Sequence, residues 1–398
     1  MTISGPAARK LTRALTRPLT QGQGGGFSLA SLFRAGEDGF LFYPMSDLTR
    51  LFLLSTGSTG NAAVDSDPVG LDLDNHGWGA SDLTATLAAQ SELLVPGSWA
   101  PGTNGVGNTA TNSPSGTLNL TNADGTAFGA YADQSFATVV GKTYKLLGTV
   151  AGATAVYRIG TAHNGNTVQA DTSAPIGSFA TYFVATSTTT WVRVHRSGVG
   201  AIVVSAISCK LAPGNHALQA TTTKRPLYKT NGGKPYLAPD ESDGGLVSPV
   251  IPAGNLTVDI AARLTKGAAS TIMLGGGNST GNLRAYIGIG ADGVVLVGWG
   301  TSVFETSGPD RSGADMVVVV TGDGTGRDLW INGVQATIAA PSGAPNGTGG
   351  GMALGQFNNN GTPSSFASGN LYGALVLNRR VTPAEIAGIT SLFQRTYQ

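Results

Sequence analysis

The sequence predicts an all-β fold: two tandem antiparallel β-sandwiches, or jelly rolls, behind a short N-terminal arm with some helix. Glycine contributes 59 of the 398 residues and charged residues only 12%, a composition that suits short strands and tight turns better than a helical enzyme. Many short segments alternate apolar with polar residues, and turn-forming residues separate them at the spacing expected of a sandwich.

The composition also excludes several classes of function. A formal net charge of +1 provides no long-range field, so neither nucleic acid nor a membrane surface is an expected partner. The single cysteine, Cys209, excludes an intrachain disulfide and a Cys-rich zinc site, and we expect it to be a buried small hydrophobe. No stretch is long and apolar enough for membrane insertion, and the N-terminus lacks the apolar core of a signal peptide, so we expect synthesis in a bacterial cytoplasm.

Residues 1–26 are predicted to be an N-terminal arm that ends in a glycine-rich hinge. Leucines and arginines recur in the arm at a spacing of four, which would place them on two faces of a helix: Leu11, Arg13, Leu15, Arg17 and Leu19. Pro18 weakens a continuous helix at this point. Two interpretations stay open: a disordered basic tail, or an anchor peptide that becomes ordered on a larger assembly.

The next residues, 27–95, are predicted to form a small N-terminal adaptor region with a helix over residues 82–93. Residues 96–212 are predicted to form the first sandwich. Its strands are expected at residues 116–122, 127–132, 142–150, 156–160, 178–185, 191–196 and 201–211. Residues 213–224 are predicted to be a linker between the two sandwiches.

The second sandwich is predicted over residues 225–398. Its strands are expected at residues 256–262, 271–274, 284–288, 294–299 and 316–321 and within the segments 327–334, 351–357 and 369–377. Asn332 and Gly333 form a typical hairpin turn. A C-terminal helix is predicted to begin with a capping box, with Thr382 as N-cap, Pro383 at the first helical position and Glu385 at the third.

Both sandwiches resemble known families. The order of strand, Asn-Gly turn, strand, Gly-Asn-Leu-Tyr-Gly strand and Thr-Pro-Ala-Glu-Ile helix after residue 327 resembles the end of a concanavalin-A-like (laminin-G-like) jelly roll. The Phe-x-x-Val-x-Gly-Lys-Thr-Tyr-x-Leu segment at 136–146 and the Trp-Val-Arg-Val segment at 191–194 resemble a carbohydrate-binding-module jelly roll. That resemblance implies that these two strands serve as scaffold.

A third resemblance concerns the N-terminal region. The Tyr-Pro-Met-Ser-Asp-Leu segment at 43–48 and the Pro-Val-Gly-Leu-Asp-Leu-Asp segment at 68–74 follow the arm and precede the sandwiches. This order resembles virion proteins of tailed phages and gene-transfer agents, such as head spikes and fibres. The resemblance implies a homo-oligomer on the virion surface, with capsid or tail proteins and copies of itself as partners.

Catalytic chemistry is poorly supported by the residue pattern. No strand carries the closely spaced Glu and Asp that a glycosidase needs, and Glu305 with Asp310 is the one pair to consider. The four histidines show no metal-ligand spacing, so neither a metal nor a cofactor is predicted. The Gly-x-Gly-x-x-Gly match at residues 288–293 is followed by another strand, which indicates a hairpin rather than a dinucleotide site. Asp240 and Asp243 are weak calcium candidates, for which a solvated turn is the better interpretation.

Sugar binding requires exposed aromatic rings that stack on pyranose faces, together with polar groups that hold hydroxyls. The candidates for these roles are Trp99, Tyr131, Trp299, Phe357, Asn358 and Asn360. Burial in a sandwich core is the alternative for each aromatic residue.

Taken together, these features predict a structural virion protein, not an enzyme, anchored by its N-terminus and binding host surface polysaccharide. A polysaccharide-degrading enzyme carried on the particle and a structural module without a ligand are the alternatives.

Overall fold

A computed structural model of the chain describes residues 32–33, 39–42, 51–52, 69, 71–72, 87–219, 222–231, 234–239, 242, 244–248, 254–278, 283–306, 308–323, 325–338, 345 and 351–395. The predicted arm, with Leu11, Arg13, Leu15, Arg17 and Leu19, lies outside these residues, and so do Asp240 and Asp243. Within them the chain is almost entirely β, as predicted, and its strands form two sandwiches.

Three short strands precede the first sandwich. They are β1 (Gly39–Phe42), β2 (Leu51–Phe52) and β3 (Leu71–Asp72). The strands of the first sandwich are β4 (Ala100–Thr103), β5 (Thr109–Asn112), β6 (Leu118–Asn122), β7 (Ala130–Ala137), β8 (Thr143–Ala151), β9 (Ala155–Gly160), β10 (Gln169–Ala174), β11 (Gly177–Val184), β12 (Thr189–Arg196) and β13 (Gly200–Leu211). One sheet has the order β10-β9-β12-β7-β4 and the other β11-β8-β13-β6-β5. Their inner faces enclose one hydrophobic core.

All seven strands predicted for this sandwich are present, and three more were missed. The missed strands are β4, β5 and β10, whose sequences are short or polar and lack the apolar alternation that marks a half-buried strand. The start of β7 was predicted three residues too early. Residues 123–129 instead form a loop, in which Phe128 has a positive φ of 56°.

The second sandwich contains the remaining strands and the C-terminal helix. The strands are β14 (Ala217–Leu218), β15 (Leu227–Asn231), β16 (Lys234–Ala238), β17 (Leu246–Val247), β18 (Leu256–Thr265), β19 (Thr271–Asn278), β20 (Leu283–Ile289), β21 (Val295–Gly300), β22 (Ser302–Glu305), β23 (Asp315–Gly322), β24 (Arg327–Ile331), β25 (Val334–Ala336), β26 (Ala353–Leu354), β27 (Phe357–Asn359), β28 (Thr362–Ser364) and β29 (Ser368–Leu377). Short 3-10 helices span Pro96–Ser98 and Thr222–Lys224.

Two sheets face each other across the core of this sandwich. One has the order β15-β16-β29-β18-β23-β24-β25, with β1 paired to β29. The other runs β2-β3-β14-β17-β26-β19-β20-β21-β22, and the β27–β28 hairpin joins it through β19. The β19–β27 pair is parallel, in contrast to the predicted antiparallel pattern.

The C-terminal helix, Pro383–Gln394, covers the outer face of the first of these sheets and buries Ile386, Ile389 and Phe393. Its predicted capping box is confirmed. The Glu385 backbone donates to the Thr382 hydroxyl, and the Thr382 backbone donates to the Glu385 carboxylate at 2.7 Å. This reciprocal pair satisfies two backbone donors that the helix start would otherwise leave open.

Both predicted hairpins of this sandwich are also confirmed. Asn332 and Gly333 have φ values of 51° and 79° between β24 and β25, the combination that a two-residue hairpin turn requires. The Gly-x-Gly-x-x-Gly match joins β20 to β21 through a turn closed by Gly293, which donates to the Gly290 carbonyl at 3.0 Å. No helix follows it, so a dinucleotide motif is excluded.

The N-terminal strands divide the chain differently from the predicted boundaries. β1 pairs with β29, and β3 pairs with β14, so parts of the predicted adaptor region belong to the sheets of the second sandwich. The first sandwich is therefore inserted between strands of the second.

The predicted linker, residues 213–224, is also largely part of the second sandwich. Residues 213–217 are buried, and Ala217 and Leu218 form β14. The Asn215 side chain donates to the Gly39 carbonyl at 2.6 Å, and Ser248 donates to the Asn215 carbonyl at 3.0 Å. These bonds join the segment to β1 and to the residue that follows β17.

The helix predicted over residues 82–93 ends earlier. Residues 87–89 are helical, and the chain turns away at Gln90. The reason lies with Glu92, which accepts from the backbone of Cys209 at 2.6 Å and from Leu93 and Leu94 at 3.2 Å. Glu92 therefore fastens the chain to β13 instead of lying on a helix surface.

Cys209 is fully buried in the first core, as predicted. Burial raises the pKa of its thiol well above the usual value, and the Glu92 carboxylate adds to the shift. In the described part of the chain, no helix is long and apolar enough to cross a membrane.

Candidate functional site

The candidate site lies on the outer face of the sheet β10-β9-β12-β7-β4. Strand alternation creates it, because Val192 and Val194 of β12 point into the core while Trp191, Arg193 and His195 lie on the opposite side. We call this surface the polar face and define it by Phe128, Tyr131, Asp133, Arg158, His163, Asp171, Trp191, Arg193 and His195.

Two arginine–aspartate pairs lie side by side across the strands of the polar face. Arg193 lies opposite Asp133 on β7 and opposite Arg158 on β9. It donates from Nε and Nη2 to the two Asp133 oxygens at 2.7 and 2.6 Å, and Arg158 makes the same bidentate contact with Asp171 at 2.6 Å. The side chains of Arg158, Arg193 and Asp133 are almost fully buried. Buried charges of this kind are stable only when they are paired. The two ion pairs, Arg193–Asp133 and Arg158–Asp171, therefore hold their side chains in fixed positions.

Aromatic rings cover both arginines. The guanidinium of Arg193 lies 4.0 Å from the centre of the Tyr131 ring, and that of Arg158 lies 4.3 Å from the centre of the Phe128 ring. These are cation–π distances. Tyr131 also lies against Gly102, where an added Cβ would come within 2.5 Å of the ring. A glycine at this position of β4 is therefore needed for the orientation of Tyr131.

The loop between β9 and β10 places further polar groups over the face. Gly160 and Gly165 approach so closely that a Cβ on Gly160 would lie 2.4 Å from the Gly165 backbone. Arg158 donates from Nη1 to the Asn164 side chain at 3.2 Å. The loop thus holds the exposed His163 ring 5.1 Å from Trp191 in an edge-on contact, with Nε2 3.0 Å from an Asp133 oxygen.

A second loop, residues 123–129, carries Phe128. Asn122 anchors this loop because its side chain donates to the Thr126 and Arg196 carbonyls at 2.9 and 3.1 Å and accepts from Gly125 at 2.8 Å. The Phe128 ring then packs 4.8 Å from the ring of His195.

His195 lies beneath the Phe128 ring and is fully buried. Neither of its ring nitrogens has a hydrogen-bond partner among the described residues. Burial lowers the pKa of His195 to about 4; Asp171 opposes the shift, and the positive charges of Arg158 and Arg193 add to it. The imidazole is therefore neutral at pH 7.

Asp171 behaves in the opposite way. Burial opposes its ionisation, but the hydrogen bonds and charge of Arg158 outweigh that effect and hold the pKa of the carboxyl below its usual value. The polar face consequently carries two fixed positive and two fixed negative charges that compensate each other.

Two partly exposed rings, Tyr131 and Trp191, lie at either end of this network. Tyr131 is opposite His195, and Trp191 lies four residues earlier on the same strand, so the rings are roughly 13 Å apart along the sheet. The Arg193–Asp133 pair and the exposed His163 lie between them. The arrangement therefore places two partly exposed rings on either side of the exposed His163, above the buried Arg193–Asp133 pair. Within the described residues, no group of three or more His, Cys, Asp or Glu side chains is placed to hold a metal.

Of the six predicted sugar-binding candidates, Tyr131 is the one that lies on the polar face. Trp99 is buried in the first core, and Trp299 is buried in the second, where its Nε1 donates to the Asp323 carbonyl at 3.1 Å. The alternative considered for each aromatic candidate, burial in a sandwich core, therefore holds for both tryptophans. Each fills space between two sheets, which an isolated sequence segment cannot reveal.

The other three candidates surround the β27–β28 hairpin. Phe357 is buried in a small apolar cluster on the sheet, so the alternative of burial holds for this ring too. Asn358 is buried and supports the turn, since it donates to the Gly351 carbonyl at 2.8 Å and accepts from Gly361 at 2.9 Å. Asn360 is exposed in the turn with φ of 50°.

Sequence reasoning missed most of the polar face. The strand from Trp191 to Arg196 was assigned to scaffold, which is correct for its valines and incomplete for the residues between them. The signal was present, because apolar and polar residues alternate along this strand with an aromatic residue, an arginine and a histidine on one side.

Comparison with known proteins gives little further guidance. No protein-family profile matches the sequence, and no curated protein matches it. Similar solved structures include the Ruminococcus gnavus IT-sialidase CBM40 bound to alpha2,3 sialyllactose, with 18% identity and a TM-score of 0.30 over 35% of this chain and 83% of that chain.

Two whole sialidases are also similar in part. The K499G mutant of NanB sialidase from Streptococcus pneumoniae has 16% identity and a TM-score of 0.28 over 34% of this chain and 24% of that chain. A Trypanosoma rangeli sialidase mutant displaying trans-sialidase activity has 15% identity and a TM-score of 0.35 over 46% of this chain and 30% of that chain. This chain spans less than a third of either sialidase. At these TM-scores the overlaps define neither a shared site nor a shared activity.

Proposed function

We propose that this chain is a glycan-binding structural protein, without catalytic activity, on the surface of a phage or phage-like particle. The observation that carries glycan binding is the pair of partly exposed rings, Tyr131 and Trp191, on one sheet face with the exposed His163 between them. Rings of this kind stack on the apolar faces of pyranoses, and His163 is placed to bond to a hydroxyl.

Rigidity supports this interpretation. Arg193 is fixed by two hydrogen bonds to Asp133 and supports the Tyr131 ring from below, so a ligand would meet a ring that is already in position. A preorganised surface loses less conformational entropy on binding. In this proposal a single site is weak. Copies of the chain arranged around a symmetry axis would raise the avidity for a repeating polysaccharide.

The particle location rests on the sequence resemblance of the N-terminal region. In this proposal the arm, residues 1–26, attaches the chain to capsid or tail proteins, and the sandwiches face the host surface polysaccharide. Removing residues 1–26 should leave a folded, soluble protein that no longer joins particles. Assembly of the shortened chain into particles would contradict the anchor role.

Glycan binding is tested by screening the full chain on a glycan array and titrating the hits with Tyr131→Ala and Trp191→Ala variants. We expect each variant to weaken binding at least tenfold, or about 1.4 kcal/mol. Ile176→Ala is the matched control, because Ile176 is exposed at the β10–β11 turn of the same sandwich and away from the polar face. Unchanged binding in both aromatic variants would contradict the proposed site. New reducing ends released from the polysaccharide would instead indicate an enzyme.

A further inference from the structure

His195 lies on the polar face beneath the Phe128 ring. It is fully buried, and neither of its ring nitrogens has a hydrogen-bond partner among the described residues. Tyr131 lies opposite it on β7 and Val156 opposite it on β9. The centre of the Phe128 ring is 4.8 Å from the centre of the imidazole ring. A polar ring buried in this way reaches water only when a neighbouring group moves aside.

The charged groups around His195 are already paired with each other. Arg193 donates to both oxygens of Asp133, and Arg158 donates to both oxygens of Asp171. The titratable and charged groups on the elements packed around the imidazole are Tyr131 and Asp133 of β7, Arg158 of β9, His163 of the β9–β10 loop, Asp171 of β10, Arg193 and Arg196 of β12, and Asp124 of the loop after β6. None of them bonds to the ring of His195. A proton on His195 would therefore add an unpaired charge without water around it.

The loop after β6, residues 123–129, is the neighbour of His195 that can move with the least loss of contacts. We call it the Phe128 loop. Its residues 123–127 are exposed, and Phe128 is the residue that it places on the polar face. The neighbours on β7, β9 and β12 are instead held by strand pairing. Local opening occurs where few buried contacts and few ladder hydrogen bonds hold the chain, which is the case in this loop.

The backbone of the Phe128 loop favours such a movement. Phe128 has a φ of 56°, which is uncommon for an aromatic residue and persists only while tertiary contacts maintain it. Those contacts include the positions of its ring over His195 and over Arg158. A proton on His195 weakens the first of them, because an aromatic ring offsets only a small part of the cost of a charge without water.

We propose that uptake of a proton by His195 displaces the Phe128 loop, so that Phe128 is an acid-released cover of the polar face. At neutral pH the Phe128 ring seals His195 and lies over Arg158. In acid the loop turns outward, water reaches the charged imidazole, and the guanidinium of Arg158 loses its aromatic cover. The surface of the polar face thus changes with acidity while both sandwiches stay folded. This proposal goes beyond glycan binding and does not depend on it.

Hydrogen exchange of the full chain without a ligand tests this opening. Two amides report it: Gly125 donates to the Asn122 side chain at 2.8 Å, and Asn104 donates to the Gly129 carbonyl at 2.9 Å. After correction for intrinsic exchange rates, we expect opening to increase about fiftyfold from pH 7 to pH 4.5, because the pKa of His195 is about 4 when covered and near 6.5 in water. Low urea should leave these two amides unchanged and accelerate the amides of β8, which open only with the whole sandwich.

Substitutions assign the response to His195 and Phe128. His195→Gln should abolish the effect of acid on the exchange of the loop. The matched control His163→Gln removes the exposed histidine of the same face and should keep that effect. In Phe128→Ala, nitrogen NMR of the imidazole should show His195 titrating at a midpoint raised toward 6.5, because its cover is gone. Val199→Ala is the control for this titration, since Val199 is exposed and lies beside Gly125 of the same loop.

Several outcomes would overturn the proposal. They are an increase in loop opening of less than tenfold in the parent, an equal increase in His195→Gln, or loop exchange with the same urea dependence as that of β8. If His195→Gln does not fold, the ring titration decides, because Phe128→Ala keeps the imidazole. A His195 midpoint that stays at the parent value in folded Phe128→Ala would contradict the role of the cover, and a rise that Val199→Ala does not share would support it. Every measurement is made without a glycan, so the result is independent of the proposed binding function.

Discussion

His195 shows how the surroundings of one side chain set its charge. It is fully buried beneath Phe128, between two arginine–aspartate pairs, and its pKa is lowered to about 4. In the unfolded chain the same imidazole titrates near 6.5. Between these two values the unfolded chain binds a proton that the folded protein does not, so folding stability falls as the pH is lowered.

We therefore predict that acidification from pH 7 to pH 4.5 destabilises the protein partly through His195. The contribution of the neutral His195 to the free energy of unfolding is fully present above pH 6.5. It is lost as the pH falls toward 4, and it amounts to on the order of 3 kcal/mol in all. Urea unfolding of the parent and of His195→Gln at both pH values measures it. The variant should lose less stability over this interval; an equal loss in the two proteins would contradict the prediction.

Single residues were predicted well where the cause is local. Thr382 and Glu385 lie three residues apart, so their capping box follows from sequence alone and is confirmed. The local sequence does not decide whether Trp299 and Phe357 are exposed or buried, because the sheet that buries each is assembled from distant strands. Burial is a tertiary property, and the residue type does not determine it.

At the scale of elements, β18 contains a carboxyl group without a partner. Val258 and Ile260 of this strand face the main core, so Asp259 between them lies on the other side, in the layer that holds Ala261 and is covered by the C-terminal helix. Asp259 is fully buried, and neither oxygen has a hydrogen-bond partner among the described residues. Burial raises its pKa well above the usual value.

This position predicts a stabilising substitution. When folding raises the pKa of a carboxyl, that group contributes most to folding stability below its unfolded pKa, near 3.9. The contribution is lost as the pH rises. Asp259→Asn removes the ionisation, so we expect a higher midpoint in urea than the parent at pH 7 and a difference that shrinks toward pH 4. Asp315→Asn is the control, since Asp315 accepts two hydrogen bonds of 2.7 Å from Arg263, and it should destabilise. A lower midpoint for Asp259→Asn at pH 7 would refute the prediction.

Strands were predicted where alternation is strong and missed where it is weak. β8, β12 and β13 lie within two residues of their predicted positions, while the polar β10 and the short β4 left no periodic signal. The polar face depends on which strands pair, as well as on the alternation of residues along each strand. Arg158, Asp133 and Arg193 come from three separate segments, and only the sheet register places them at one level.

At the scale of the whole molecule, the connection between the sandwiches is well packed. Tyr182 of the first sandwich, Leu218 of the second, Ala212 and Leu87 form a small hydrophobic cluster at this point. The backbone of Ala212 donates to the Thr143 carbonyl at 2.9 Å. A flexible linker would lack such contacts, because they restrict the backbone on both sides.

We predict that native-state proteolysis does not cut between residues 212 and 219. Mild proteinase K treatment, followed by mass spectrometry, measures this directly. Asn215→Ala should make the segment cleavable and lower stability by about 1–3 kcal/mol, because the Gly39 carbonyl and neighbouring groups lose their partner in a buried position. Rapid cutting of the parent at residues 212–219 would show that the segment opens freely.

The insertion of one sandwich into the other has a consequence for biosynthesis. A ribosome that has released residues up to Leu211 has supplied both sheets of the first sandwich, which can then fold as a unit. β1, made much earlier, pairs with β29 and so waits until residues 368–377 have been made. Nascent chains that stop before β29 would therefore carry one finished sandwich and an unpaired β1 strand, and only the synthesis of β29 would let the other sandwich close.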